Sequence, residues 1–321
     1  MKFRAGKRLR RNSDIGAEFI LSGIPRLEKL GKRIIECGAS LEVNLYDGKP
    51  KIHARRCGSF FCGFCNSIQF LGVSERLEQI DFQDGNCYRS FSVTVPRVEI
   101  KEMKKTLNSM ALSWKKFSGS KYFKHINGFY KKLEFEKKFS TVNPHFHVLV
   151  SHPVMDLTLN KRFINRMEKE IDFTTFSPRD WNLHYFFLSQ GFYYVKTFSL
   201  ILKFFGFGQI TWIREPLSKG DHEKCKKELT KYITKNVHLE GQDLIDLWEQ
   251  TLGVNKFSFG GRFRKFKKTF VYDSEGEKAG LIERIGTPET FAKHTYENPN
   301  VDNLKFLEFL IEHQFVSEVN N

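Results

Sequence analysis

The sequence predicts an α+β fold in which helices flank a central antiparallel sheet, with a small cysteine-rich segment ahead of it. Helical and strand-like patterns are interleaved without a regular strand–helix–strand rhythm, and no glycine-rich phosphate loop is present, which argues against a doubly wound fold. Two strand patterns separated by one short loop favour antiparallel neighbours. Three cysteines between residues 57 and 65 predict a metal-binding segment before the sheet.

We expect four consecutive segments along the chain. They are a basic arm and helix (residues 1–36), a cysteine-rich segment (37–87), a central domain (88–268) and an acidic C-terminal segment (269–321). The start of the arm, MKFRAGKRLRRN, is too highly charged to be ordered on its own. The acidic segment ends in a helix predicted at residues 301–316, which would dock on the body or on a partner.

The remaining elements follow from hydrophobic periodicity and turn residues. Asp47-Gly48 between two alternating runs predicts a hairpin, and Asp221 is the N-cap of a predicted helix that runs to residue 239. A further helix is predicted at residues 99–117. The predicted strands of the central domain are residues 88–95, 129–136, 145–150 and 209–215, and the loop KKFSTVNP joins the second to the third.

The charge of the chain favours a polyanionic partner. The chain has 52 Lys+Arg against 37 Asp+Glu, a formal net charge of +15. Residues 269–321 hold 4 Lys+Arg and 10 Asp+Glu, a net charge of −6, so residues 1–268 carry +21. A basic surplus of this size is typical of nucleic-acid-binding proteins, although net charge of either sign also keeps proteins soluble.

We expect a cytoplasmic protein with no membrane contact. The charged N-terminus has no apolar stretch behind it, as a signal peptide would. The most apolar stretch, residues 186–206, contains Gln190, Lys196 and Lys203 and makes a poor membrane span. In a reducing compartment the six cysteines would be reduced and available to metal.

The stretch NPHFHVLVSHP, residues 143–153, raises the question of a metal site. In a strand, His145 and His147 project to the same face and can bind one divalent ion, although strands also carry two histidines by chance. The preceding strand offers Glu134 or Glu136 as a third ligand, and the sequence leaves the choice open. Two imidazoles and one carboxylate suit an open Mg²⁺ or Mn²⁺ site better than a closed structural zinc.

The helix predicted after Asp221 carries Glu228 and Tyr232 four residues apart, with Lys235 nearby. Alone, this pattern is typical of a tyrosine at the edge of the core beside solvated charges. The functional alternative is a nucleophile, because a tyrosine hydroxyl can attack a phosphodiester and form a phosphotyrosine link. Glu228 would then act as general base, and Lys235 would hold a phosphate or assist the tyrosine.

The cysteines predict a zinc site. Cys57, Cys62 and Cys65 are close in sequence, and Cys37 lies upstream. Four thiolates in this pattern form a tetrahedral Zn²⁺ site, with His53 as the alternative to Cys37. The other interpretation is a set of small buried hydrophobic residues.

A basic and aromatic segment extends over residues 257–270. Arg262, Arg264, Lys265 and Lys267 are interspersed with phenylalanines. The pattern is typical of a segment that follows a DNA backbone and stacks on bases, and equally of a strand with a charged outer face.

Together and in this order, the motifs resemble those of plasmid rolling-circle replication initiators of the single-tyrosine type, within the HUH endonucleases. His145-Phe146-His147, followed by an apolar run, is similar to the family's histidine–hydrophobe–histidine motif, and Tyr232 with Glu228 is similar to its tyrosine motif. The strand GFYKKLEFE supplies Glu134 as the best match to a ligand.

The resemblance extends over residues 37–235. Phe91–Thr94 resembles the upstream sheet motif, and the four cysteines resemble the family's cysteine-rich region. The chain departs from the family at Asn143-Pro144, where another histidine is common, and at Cys62–Cys65, which lacks the common proline.

The resemblance implies an HUH core and a metal-dependent nickase that initiates rolling-circle DNA replication. Tyr232 would cut one strand of a replication origin at a single-stranded site and become linked to the 5′ phosphate, leaving a 3′ hydroxyl that primes synthesis. Glu228 would assist the terminating cleavage, which rejoins the strand without a second tyrosine. A host helicase and polymerase are the expected partners, and a homodimer stays open.

Two other functions compete with this interpretation. An HUH transposase or relaxase would share the chemistry and differ in its DNA target. A non-enzymatic, zinc-containing DNA-binding regulator would use the cysteines and not the tyrosine.

Overall fold

A computed structural model of the chain describes residues 5–37, 41–46, 49–54, 56–81, 84–208, 210–213, 241–266, 282–286, 288–297, 299 and 301–312. The fold is α+β, with antiparallel sheets and flanking helices, as the sequence predicts. The chain forms two compact units. The first comprises Met1–Glu75, Leu239–Ile245 and Lys268–Asn321, and the second Arg76–His238 and Asp246–Lys267.

The described elements are, in chain order, α1 (Ala5–Leu21), α2 (Pro25–Ile35), β1 (Leu41–Tyr46), β2 (Lys49–Ala54), α3 (Gly63–Glu78), β3 (Asn86–Thr94), β4 (Val98–Glu99), α4 (Met103–Ser118), β5 (Gly128–Lys138), β6 (Thr141–Pro153), α5 (Lys161–Glu170), α6 (Pro178–Ser189), α7 (Val195–Phe204), β7 (Ile210–Ile213), α8 (Gly241–Thr251), β8 (Phe257–Gly261), β9 (Ile282–Gly286), α9 (Pro288–Glu297) and α10 (Val301–Glu312).

In the first unit, α1 and α2 pack at two glycines. A Cβ on Gly31 would lie 2.5 Å from the carbonyl oxygen of Gly16, so only glycine allows the two backbones to approach this closely. Residues 5–12, which were expected to be disordered on their own, are the first turns of α1 in the folded chain. Packing against α2 stabilises a helix that the charged arm would not form alone.

The sheet of the first unit has the order β2-β1-β9, all antiparallel. Tyr46 pairs with Lys49, which confirms the predicted hairpin, although Asp47-Gly48 lie outside the described residues. The C-terminal segment thus contributes a strand beside β1. The predicted final helix is α10, which docks on this sheet. Its residues belong to one buried cluster, formed by Val43, Leu45, Phe291, Ala292, Phe306, Leu307 and Leu310.

The sheet of the second unit has the strand order β7-β3-β6-β5-β8, and β4 pairs with β6. All four predicted strands of the central domain are confirmed. The loop predicted at residues 137–144 is wrong in its extent, because Lys138 pairs with Thr141 and only two residues remain between β5 and β6. One of these, Phe139, has a φ of 54° and is 82% exposed.

The strands β3, β5 and β6 separate an apolar face from a polar one. On the apolar face, the ring of Phe91 lies 4.9 Å from Phe198 of α7, and the ring of Phe146 lies 6.1 Å from Trp114 of α4. Side chains alternate between faces along a strand. The residues directly before and after each of these phenylalanines in its strand therefore project to the opposite face. The candidate site lies on that face.

Two further predictions concern the apolar stretch at residues 186–206 and the helix predicted after Asp221. Residues 186–206 form the end of α6 and the whole of α7, and in the described parts of the chain every helix is too short or too polar to cross a bilayer. The helix predicted after Asp221 lies outside the described residues, as do Glu228, Tyr232 and Lys235.

Gly261 provides a test of the second unit. It has φ 55° and ψ −139°, and a Cβ there would lie 2.2 Å from the carbonyl oxygen of Asn127. We expect Gly261→Ala to lower the free energy of unfolding by about 3 kcal/mol or more, because backbone strain and a clash add. All four tryptophans lie in the second unit, so tryptophan fluorescence during urea unfolding measures this loss.

The matched control is Gly253→Ala. Gly253 also has a positive φ, 75°, but among the described residues beyond its chain neighbours no atom lies within 4 Å of the position that a Cβ would take. We expect this variant to lose only about 1 kcal/mol, the cost of the left-handed backbone alone. Equal losses for the two variants would contradict the role assigned to the contact with Asn127.

Candidate functional site

The pairing of β5 with β6 brings Glu134, His145 and His147 together. Glu134 lies directly opposite His145, and Lys132 lies opposite His147, so all four side chains share one face. The Oε2 atom of Glu134 lies 3.2 Å from Nε2 of His147 and 3.7 Å from Nε2 of His145. One ligand atom from each of the three residues lies within 4.8 Å of the other two, which is close enough to hold one metal ion.

The second ring nitrogen of each histidine, Nδ1, forms a hydrogen bond with an oxygen atom. The Oγ atom of Ser92 lies 2.8 Å from Nδ1 of His147, and the carbonyl oxygen of Asn143 lies 3.1 Å from Nδ1 of His145. A carbonyl only accepts, so Nδ1 of His145 donates, and a neutral ring in this orientation would offer its Nε2 lone pair to a metal ion that also contacts the carboxylate. Metal-binding histidines are oriented in this way, and a cation between these two acceptors would stabilise the arrangement.

Glu134 is held in its ionised form. Burial opposes its ionisation, but hydrogen bonds from His145 and His147 and the positive charge of Lys132 outweigh that effect and lower the pKa of Glu134 far below its usual range. Lys132 is buried and contacts Oε1 of the carboxylate. One carboxylate oxygen is therefore engaged by the lysine, and the other faces the histidines.

Glu136, the alternative third ligand, is placed differently. Its side chain is 70% exposed, and its carboxylate pairs with Arg97 at 2.9 Å. The residue opposite it in β6 is Asn143 and not a histidine. Of the two glutamates, Glu134 is therefore the one that lies beside the histidines.

The four cysteines Cys37, Cys57, Cys62 and Cys65 form a buried cluster in the first unit that can hold a metal such as zinc. The Sγ atoms of Cys37 and Cys65 are 3.5 Å apart, and those of Cys57 and Cys65 are 3.7 Å apart. Zn–S bonds of about 2.3 Å in a tetrahedron place the sulfur atoms about 3.8 Å apart, so these distances fit. The alternative ligand, His53, has its side chain outside the described residues.

Amide groups surround this cluster. The backbone N–H groups of Cys57 and Cys65 donate to Sγ of Cys37 and of Cys62 at 3.3 and 3.4 Å. Asn12 of α1 donates to Sγ of Cys62 at 3.3 Å and accepts from the backbone N–H of Gly63 at 2.9 Å. Sequence reasoning missed Asn12, because it lies within the basic arm and nothing in its local pattern connects it with the cysteines.

Ionisation of the four thiols is shared unevenly. Hydrogen bonds from the other three thiols lower the pKa of Cys65, whereas the hydrogen bonds of Cys57 with its three neighbours raise the pKa of Cys57. Four adjacent thiolates repel one another, so ionisation of the whole cluster requires a cation.

The basic segment is only partly described. Residues 257–261 form β8, and a short 3₁₀ turn follows at residues 262–265. Arg262 forms an ion pair with Asp84, whereas Arg264 and Lys265 are exposed. Lys267 lies outside the described residues.

The catalytic residues expected on the helix after Asp221 are not described either. Glu228, Tyr232 and Lys235 lie outside the described residues, so their assignment stays a prediction. No protein-family model matches the chain, and no curated protein or solved structure matches it either.

The cysteine cluster predicts one bound zinc ion per chain. We expect Cys62→Ser to lose most of the zinc measured by atomic emission in the purified protein, because the set of four thiolates is broken. We also expect chelation of the metal to lower the thermal midpoint of the wild-type chain measured by circular dichroism, because metal binding stabilises the folded state. Cys87→Ser is the control, since Cys87 lies outside the cluster. Equal zinc contents in the two variants would contradict the assignment.

Ser92 provides a test of the histidine site. We expect Ser92→Ala to weaken Mn²⁺ binding about 10- to 100-fold in calorimetric titrations, because His147 loses the partner that orients its ring. Ser90→Ala is the matched control: Ser90 lies two residues away on the same face of β3, and both serines are 7% exposed. The same Mn²⁺ affinity in both variants would argue against this role of Ser92.

Proposed function

We propose that this chain is a metal-dependent DNA-nicking enzyme that initiates rolling-circle replication, with Glu134, His145 and His147 as the ligands of a catalytic Mg²⁺ or Mn²⁺. The observation that carries the proposal is the approach of both imidazole Nε2 atoms to one oxygen of an ionised carboxylate. A structural histidine pair would not need a half-buried carboxylate at this position.

The ligand set fits an open catalytic site. Three protein ligands leave coordination positions for water and substrate oxygens, and an ion bound there would polarise the scissile phosphate. The side chains of His145 and His147 are 17% and 26% exposed, so a DNA strand can reach them. The backbone carbonyl of Asn143 and the hydroxyl of Ser92 keep the two rings oriented.

In the same proposal, Tyr232 is the nucleophile. Its hydroxyl attacks the phosphorus atom, the 3′ oxygen leaves, and the 5′ phosphate stays linked to the tyrosine. Glu228 acts as general base when the strand is rejoined, and Lys235 contacts a phosphate. The basic charge of residues 1–268 supports a DNA substrate, and origin DNA, a host helicase and a polymerase are the proposed partners.

A DNA-binding regulator built on a zinc cluster is the second candidate, and the buried group of four cysteines favours it. It differs from the nickase in one respect that can be measured, because it requires no tyrosine chemistry. A transposase or relaxase would share the nicking chemistry and would differ in the DNA sequence that it cuts.

The deciding experiment uses labelled single-stranded oligonucleotides from the DNA around the gene, with Mn²⁺ or Mg²⁺. We expect a covalent protein–DNA adduct on a denaturing gel with the wild-type chain and none with Tyr232→Phe. We expect His147→Ala to reduce the rate of adduct formation about 100-fold, because a metal ligand is lost.

Tyr185→Phe is the matched control for the tyrosine. Tyr185 is exposed and donates a hydrogen bond to Glu168, so this variant loses one hydroxyl without touching the candidate site. The nickase proposal fails if the wild-type chain forms no adduct with any strand, or if Tyr232→Phe forms it as well. DNA binding without an adduct would favour the regulator.

A further inference from the structure

A basic pocket of about 580 Å³ lies in the second unit, at the end of β5 remote from the histidine site. Asn127, which lines it, precedes Glu134 by seven residues, which corresponds to roughly 20 Å along a strand. The pocket therefore does not belong to the candidate metal site. Three kinds of lining residue occur in it: cations, apolar side chains and unpaired polar atoms.

The rim of the pocket is positively charged. It contains Lys121, Lys124, Arg162 and Arg166, against the single carboxylate of Asp156. Lys121 is paired with Glu170 at 2.5 Å. In the described parts of the chain, the other three cations have no carboxylate within 4.0 Å, so their charge is available to an anion.

Two residues that line the pocket each carry a buried polar atom without a hydrogen-bond partner among the residues described. These atoms are Nε2 of His125 and Oδ1 of Asn127. Burial and the neighbouring His152 lower the pKa of His125 to about 3, so this ring is neutral at pH 7. A buried polar atom without a partner is costly, and each such atom requires an explanation.

The free atom of Asn127 is an acceptor, and the neighbouring contacts determine its orientation. The side-chain N–H of Asn86 donates to the Asp84 carboxylate at 3.0 Å, so Asn86 presents its oxygen to Asn127. Asn127 therefore donates with Nδ2, at 2.7 Å, and its buried Oδ1 remains an acceptor without a donor among the described residues. A ligand that reaches this atom must carry a donor group.

The remaining wall is apolar. Pro153, Met155, Leu157 and Phe163 line it. An inorganic phosphate would be held by the cations, but it is too small to cover this wall and to reach the unpaired polar atoms as well. A nucleotide has all three complementary parts: a flat ring, N–H donors on the edge of that ring, and a phosphate.

We propose that this pocket binds one nucleotide, with the base against the apolar wall, an N–H of the base on Asn127 Oδ1, and the phosphate among Lys124, Arg162 and Arg166. The nucleotide is either free or part of a DNA strand. Only the second source rests on the proposed nicking function, in which the pocket would hold the strand away from the cleavage site.

The test is calorimetric titration of the full chain with the four deoxynucleoside 5′-monophosphates and with inorganic phosphate. EDTA is present, so binding is measured without cleavage and its failure is distinct from failure of the nickase proposal. We expect at least one nucleotide to bind about 10-fold or more tightly than phosphate, because base contacts add to the phosphate contacts. Equal affinity, or no binding, would overturn the proposal.

Two variants assign the binding to this pocket. The double variant Lys124→Ala/Arg162→Ala should weaken nucleotide binding about 10-fold or more, because two contacts to the phosphate are lost. The matched control is Lys115→Ala/Lys116→Ala, which removes two exposed cations of α4 outside the pocket. Equal weakening by both double variants would show a non-specific charge effect and overturn the proposal.

His125→Phe separates the base from the phosphate. The substitution keeps an aromatic ring next to Tyr193, 5.2 Å away in the wild type, and removes the unpaired nitrogen. It should lower the affinity for the nucleotide and leave the affinity for phosphate unchanged. If this variant does not fold, the exposed rim variants decide the question by themselves.

Competition identifies the source of the nucleotide. A single-stranded oligonucleotide of about 12 nucleotides is added to the chain with a mononucleotide bound. The pocket accepts a nucleotide of a DNA strand if this oligonucleotide displaces the mononucleotide from the wild-type chain and does so less well from the Lys124→Ala/Arg162→Ala variant. If it does not displace the mononucleotide, the ligand is a free nucleotide. Either result supports the pocket as a nucleotide site.

Discussion

The antiparallel register between β5 and β6 is the constraint on which the candidate metal site depends. It places Glu134 opposite His145 and Lys132 opposite His147. A slip of one residue would move Glu134 to the other face of the sheet, against the rings around Trp114. The register also places Asn127 at the far end of β5, where the basic pocket begins. Both candidate binding sites of the second unit therefore depend on the same pairing.

Part of this site could be predicted from residue spacing alone. A period of two puts His145 and His147 on one face, and it puts Glu134 on a common face with Glu136. The choice between the two glutamates could not be predicted, because it depends on the turn between the strands. The sequence favoured a loop over residues 137–144, whereas the ladder continues to a two-residue turn at Phe139. Tertiary pairing overrode the local polarity of that segment.

Other features depend on contacts between residues that are distant in sequence. Cys57, Cys62 and Cys65 form a local sequence pattern. The hydrogen bond from Asn12 to Cys62, in contrast, joins residues that are 50 positions apart. Similarly, β9 pairs with β1, although almost the whole second unit lies between them along the chain. Periodicity predicts the elements of such a unit, but it contains no information about which of them meet.

The buried lysine beside the candidate metal site changes its charge balance. Lys132 contacts one oxygen of Glu134 and is itself buried, so its charge offsets that of the carboxylate. Histidines bind a metal ion in their neutral form, so with an ion bound the lysine and the carboxylate would offset one another among the protein side chains of the site. A divalent ion held there would keep most of its positive charge, and an anionic phosphodiester is the natural group to balance it. Such a site would bind ion and substrate more strongly together than separately, as the proposed nicking chemistry would require.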